Sequence, residues 1–216
     1  MDIELIAIVL GVILVSMTLH EVMHGFAAYW LGDDTAKHQG RLTLNPIKHI
    51  DPFMTILLPV LLALSGGPIF GGAKPVPFNP TRLRYGEWGV ALVAVAGPLT
   101  NLLIAFLSFG VLALLGDSIA APDGGPSIIG TILLLSVQVN LGFFAFNMLP
   151  IPPLDGSRVL YALAPDFVRR GMEEVERFGV IVVFMVVFFA NSLLASYMIG
   201  VIGFFFDLFS ALFSIS

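Results

Sequence analysis

The stretch from Leu5 to Leu31, LIAIVLGVILVSMTLHEVMHGFAAYWL, carries no ionisable side chain before His20, and then three close together: His20, Glu21 and His24. About 20 consecutive apolar residues cross the hydrocarbon core of a bilayer as an α-helix, and this stretch is longer. It predicts a membrane helix, and one that encloses ionisable groups. Such groups cost about 3 kcal/mol or more each at the centre of a membrane helix unless they are paired or functional.

Composition agrees. Of 216 residues, 57% are hydrophobic and 12% charged, with a mean hydropathy of +0.96. A soluble domain carries roughly a quarter charged residues, so a soluble globule and a disordered chain are both excluded. The absence of cysteine excludes disulfides, thiolate metal sites and a cysteine nucleophile. Further stretches without Asp, Glu, Lys, Arg or His run over 52–73, 88–116, 124–154 and 178–206. The stretch 52–73 is broken by Pro59, Gly66, Gly67, Pro68, Gly71 and Gly72, and reads as a half-helix or re-entrant segment. The last stretch accommodates one long helix or two joined near Asn191 and Ser192. The expected fold is an all-α polytopic membrane protein. Four to six transmembrane or re-entrant segments are expected, with a small extended or β element near 40–83. One integral-membrane domain, 1–216, is expected to comprise a catalytic core over about 5–160 and C-terminal membrane segments over about 176–214.

The ten basic residues fall into two windows. Lys37, Arg41, Lys48, Lys74, Arg82 and Arg84 form one; Arg158, Arg169, Arg170 and Arg177 form the other. The loop near 116–128 carries Asp117 and Asp123 and no positive charge. The positive-inside rule then places both basic windows in the cytoplasm and the N-terminus outside. Residues 5–31 run inward, 88–116 outward and 128–149 inward. No basic n-region precedes the first apolar run and no small-residue cleavage site follows it, so a cleaved signal peptide is not expected. No internal repeat is present, and no nucleic-acid partner is expected.

His20 and His24 lie four residues apart, about 6 Å along a helix and on one face. Two imidazoles so placed can supply two ligands of a tetrahedral Zn²⁺. Glu21 is rotated from that face and suits a general base. A hydrolytic zinc needs a third protein ligand and an open position. Span 128–149 runs inward and ends in N-M-L-P-I-P-P-L-D-G, which brings Asp155 to the depth of the histidines; Pro-Leu-Asp-Gly is equally good turn chemistry. Two polar positions lie within later spans. Asn101 sits one turn after Gly97, which permits close helix contact, and Pro98 removes a backbone hydrogen bond. Asn147 follows Asn140 by two turns. These asparagines suit interhelical hydrogen bonding or, alternatively, stabilisation of a substrate carbonyl.

Together, H-E-V-M-H at 20–24, G-R-L-T-L-N-P at 40–46, I-D-P at 50–52, K-P-V-P-F-N-P at 74–80, A-G-P-L-T-N at 96–101 and F-N-M-L-P-I-P-P-L-D-G at 146–156 resemble the site-2 protease family of intramembrane zinc metalloproteases. The resemblance covers roughly residues 10–180. It implies one Zn²⁺ per chain on His20, His24 and Asp155, with Glu21 as catalytic base. It also implies substrate contact by Asn147 and, with less support from its motif, Asn101; Asn140 joins them as a third candidate. The chain resembles the compact branch, without an inserted PDZ domain or a following CBS pair. Transmembrane, single-span protein substrates and a lipid bilayer are the implied partners.

A substrate helix must unwind before cleavage, and its freed backbone then needs partners. The Lys74–Arg82 segment is extended in character because each proline disfavours helix in the residue before it. It suits either a strand edge for substrate or an ordinary loop. Alternatives from other classes are a membrane metal-ion transporter using the same His/Asp site, and a non-proteolytic relative that binds membrane proteins.

Overall fold

A computed structural model describes residues 3–57, 72–116 and 127–213. The first helix, α1 (Ile3–Trp30), spans about 42 Å at 1.5 Å per residue. It stops at Gly32, whose φ of +108° suits glycine. There the Leu31, Gly32 and Asp33 N–H groups close back onto Ala27, Tyr29 and Ala28. A single turn, α2 (Thr35–His38), follows. Short 3₁₀ and π turns occupy Pro46–His49 and Pro52–Leu57.

The second long helix, α3 (Glu87–Leu115), runs through Pro98 without ending. The third, α4 (Ile128–Asn147), opens with Ser127 accepting a hydrogen bond from the Gly130 N–H. Two short helices come next, α5 (Asp155–Leu163) and α6 (Asp166–Glu176). The chain closes with α7 (Val180–Phe189) and α8 (Asn191–Leu212). The C-terminal region is therefore two helices joined at Ala190. Of these, α7 is too short to cross a bilayer. The four helices α1, α3, α4 and α8 are long and apolar enough to do so, and the protein is a multi-pass, all-α membrane protein. Residues 117–126, expected to lie outside, and most of the 52–73 segment, expected to be a half-helix or re-entrant, fall outside the described residues. Near 40–83, where a small extended or β element is expected, residues 72–79 have no regular secondary structure, and no strand pairing occurs among the described residues.

Helix α3 is central, packing against α1, α4 and α5. At one end, Ala27, Ala28, Leu83, Val90 and Val93 bring α1 and α3 together. At the other, Ala105 and Phe109 of α3, Val137 and Leu141 of α4 and Phe209 of α8 form a second cluster. Gly110 lets α8 approach there, because a Cβ would lie 2.7 Å from the Phe213 ring. Outward faces carry Leu10, Val15, Leu92, Leu99, Leu103 and Leu107, all exposed. So much apolar surface is unfavourable in water and natural in lipid.

Candidate metal centre

The local periodicity of α1 stacks His20 and His24 on the face turned to α3, where both imidazoles are buried. Their Nε2 atoms lie 3.0 Å apart. The Met148–Leu154 turn folds back so that Asp155, first residue of α5, presents Oδ2 at 3.2 Å from His20 Nε2 and 3.5 Å from His24 Nε2. Gly156 makes this fold-back possible, since a Cβ there would collide with the Met148 and Leu149 carbonyls. The other imidazole nitrogens are engaged: Nδ1 of His24 faces the Val93 carbonyl at 2.8 Å, and Nδ1 of His20 faces Asn101 Oδ1 at 2.6 Å. Each Nδ1 thus donates to an oxygen, leaving each Nε2 with a lone pair.

Three acceptor atoms converge with no donor among them in the neutral imidazole state. Positive charge must sit between them, as protons or as one metal ion. A tetrahedral ion with ligand bonds of about 2.0–2.2 Å separates its ligand atoms by roughly 3.3–3.6 Å. The observed edges of 3.0, 3.2 and 3.5 Å approach that range, and the outer Nδ1–H···O bonds are those that orient metal-binding histidines. The residues therefore fit a zinc ion. As a carboxylate, Asp155 supplies the anionic member of this donor set. Its side chain remains 22% exposed, a route for water. Gly97 completes the cradle: a Cβ there would lie 2.5 Å from His24 Nε2 and 2.7 Å from His20 Nε2.

Glu21 clusters with the two histidines, their potential ligand atoms within 4.8 Å of one another. Its Oε2 accepts a 2.9 Å hydrogen bond from the Val76 N–H. This ties the 72–79 segment to the site. Arg41 donates to the Lys74 carbonyl at 2.8 Å, and buried Asp33 accepts from the Asn79 N–H at 2.6 Å. Gly25 gives the segment room, as a Cβ would lie 2.9 Å from Val76 Cγ1.

The three asparagines separate. Asn101 and Asn140 are fully buried and bonded to each other at 2.7 Å. Asn147 is half-buried and donates to the Phe143 carbonyl of its own helix at 2.9 Å. No described hydrogen bond links it to the histidines or to Asp155. Sequence reasoning missed Ser16, which accepts from Asn140 at 2.8 Å; its place four residues before His20 was the available signal. It also missed Asp33, the Val93 carbonyl and the Val76 N–H, the last two carrying no side-chain signal.

Comparison with known proteins places the chain. It is 44% identical over 180 residues to "Putative zinc metalloprotease YwhC" of Bacillus subtilis, covering 82% of this chain and 77% of that protein. Rip2 of Mycobacterium tuberculosis, which carries the same descriptive name, is 34% identical over 198 residues, covering 90% and 71%. Rip2 of Mycolicibacterium smegmatis is 32% identical over 195 residues, with 90% and 71% coverage. No family model and no solved structure matches the chain. With this identity sustained over most of both chains, the protein belongs to the family of YwhC and Rip2, which carry the name "putative zinc metalloprotease".

Proposed function

We propose that this protein is an intramembrane zinc metalloprotease of the site-2 type, hydrolysing peptide bonds within or near transmembrane segments of membrane-protein substrates. The observation that carries the reading is the convergence of His20 Nε2, His24 Nε2 and Asp155 Oδ2 at 3.0–3.5 Å between helices able to cross a bilayer. His20, His24 and Asp155 hold one Zn²⁺. When bound, zinc supplies a Lewis acid for the scissile carbonyl and an activated water. Glu21 takes the proton of the attacking water and passes it to the leaving amine. The Val76 N–H fixes one oxygen of Glu21, leaving the other for that transfer. Asn147, half-buried at the end of α4, donates from its amide to the substrate carbonyl. The 72–79 segment offers backbone groups to an unwound substrate chain.

Both tryptophans, Trp30 and Trp88, and Tyr85 are exposed at the end of α1 and the start of α3. Such aromatic side chains favour a membrane–water boundary. His24 precedes Trp30 by six residues and Gly97 follows Trp88 by nine, which sets the site about 9–14 Å beneath that boundary. The first basic window lies between these two helix ends and the second follows the end of α4, so by the positive-inside rule this boundary is the cytoplasmic one. Regulated intramembrane proteolysis of single-span substrates is the corresponding biological role.

The test is Glu21→Gln in purified full chain with a single-span reporter. Retained zinc with abolished cleavage is expected. Full cleavage by the variant would overturn the protease reading, and zinc flux through reconstituted vesicles would replace it with transport.

A further inference from the structure

The polar residues behind His20 form a chain of hydrogen bonds in which each hydrogen has one place to go. On α4, one side of the Asn140 amide lies 2.8 Å from the Ser136 carbonyl and 2.8 Å from Ser16 Oγ. A carbonyl only accepts, so that side is Nδ2 and the opposite atom is Oδ1. Oδ1 lies 2.7 Å from Asn101, which must therefore present its own Nδ2. The Ser16 carbonyl, 3.5 Å from the same nitrogen, favours that arrangement too. Asn101 is left with Oδ1 towards His20 Nδ1 at 2.6 Å, so Nδ1 must carry the hydrogen. A neutral imidazole has a single N–H; Nε2 is consequently a bare lone pair, aimed at His24 Nε2 and Asp155. Asn101 and Asn140 are 0% exposed and Ser16 2%, so solvent and substrate reach none of these links.

His24 attains the same tautomer through a backbone group, the Val93 carbonyl. No side-chain substitution removes that acceptor. The state of His20, by contrast, depends on two amide side chains contributed by two other helices.

We propose that Asn101 and Asn140 are positioning residues: a two-link amide relay that holds His20 in the tautomer able to bind metal, with no contact to substrate. The inference rests on the metal-site reading above. Removing the Asn140 oxygen frees the Asn101 amide to turn over and offer Nδ2 to His20 Nδ1. That favours the hydrogen on Nε2, where it occupies the metal-binding lone pair.

The experiment measures zinc affinity of the purified full chain by competition with a chromophoric chelator. The variants are Asn101→Leu, Asn140→Leu, Asn140→Asp and, as reference, His20→Ala. Both leucine variants are expected to bind zinc 10–100-fold more weakly, the range for lost outer partners of metal ligands. Asn140→Asp, kept neutral by its buried surroundings, retains an oxygen facing Asn101 while its O–H takes the place of Nδ2 towards the Ser136 carbonyl, and is expected to rescue affinity to within about threefold of wild type. At saturating zinc, the KM for a reporter substrate stays at the wild-type value. Unaltered zinc affinity in the leucine variants, with or without a raised KM, overturns the relay. Should those variants not fold, ¹⁵N spectra of histidine-labelled, zinc-loaded wild type decide. Zinc on Nε2 of His20 with hydrogen on Nδ1 supports the relay, and zinc on Nδ1 overturns it. Equal zinc binding by wild type and His20→Ala would remove the metal-site reading itself, and the relay with it.

Discussion

Substituting Gly97 by alanine tests the metal cradle at its tightest point. The new methyl would lie 2.5 Å from His24 Nε2, 2.6 Å from His24 Cε1 and 2.7 Å from His20 Nε2, where ordinary contact begins at 3.4 Å. It therefore intrudes by about 0.9 and 0.7 Å on the two nitrogens facing Asp155. Neither ring yields freely, because Val93 holds one and Asn101 the other through Nδ1. Overpacking a well-packed interior costs about 1–3 kcal/mol. Here the overlap falls on the ligand atoms themselves, so the loss is expected in metal affinity, roughly 5–150-fold. Chelator competition on the full chain, run beside thermal unfolding of the metal-free protein, reads both terms. Gly25→Ala is the comparison. Its Cβ would lie 2.5 Å from Leu42 Cδ2, the end of a flexible side chain, and 2.9 Å from Cγ1 of the stiffer Val76, neither of them one of the three converging ligand atoms. Zinc affinity within about threefold of wild type is expected for it. The reasoning fails if Gly97→Ala binds zinc as wild type does, or if its loss merely parallels a fall in stability shared with Gly25→Ala.

Other expectations follow from the same contacts. Asp155→Ala is expected to lose zinc on desalting; zinc retained at one per chain would contradict the ligand role. Asp33→Ala strands the Thr35 and Asn79 N–H groups, each at about 1–3 kcal/mol. Faster proteolysis within 74–82 and a lower unfolding midpoint should result, and unchanged resistance would contradict the anchoring. The Asp34 carboxyl is held below the ordinary carboxylate range by its hydrogen bond with His38. Its contribution is present above the unfolded carboxylate pKa of about 4 and is lost as pH falls through the lowered value. Exposed pairs contribute little and are screened by salt, so Asp34→Asn should leave the neutral-pH midpoint unchanged in high salt.

Some of this protein was legible one residue after another. The apolar runs announced the membrane helices because length and composition alone decide whether a helix can cross lipid. His20 and His24 announced a shared face because four residues on a helix return to the same side. Depth counting suggested Asp155, but only the fold-back at Met148–Leu154 brings its oxygen to 3.2 and 3.5 Å from the two imidazoles. Asn140 and Asn147, two turns apart on one helix, looked equivalent in sequence. Packing buried the first against Asn101 and left the second half-exposed, bonded within its own helix.

The membrane helices and the pair of imidazoles can be read along the chain, the first from the length and composition of apolar runs and the second from the periodicity of one helix. The atoms around those imidazoles are set by packing: Gly97 opposite, Asp155 beside, the Val93 carbonyl and Asn101 behind, and the Val76 N–H on Glu21. These depend on how helices rotate and slide against one another. Two of the partners are backbone groups, which every residue but proline carries in full and which no sequence pattern can therefore mark.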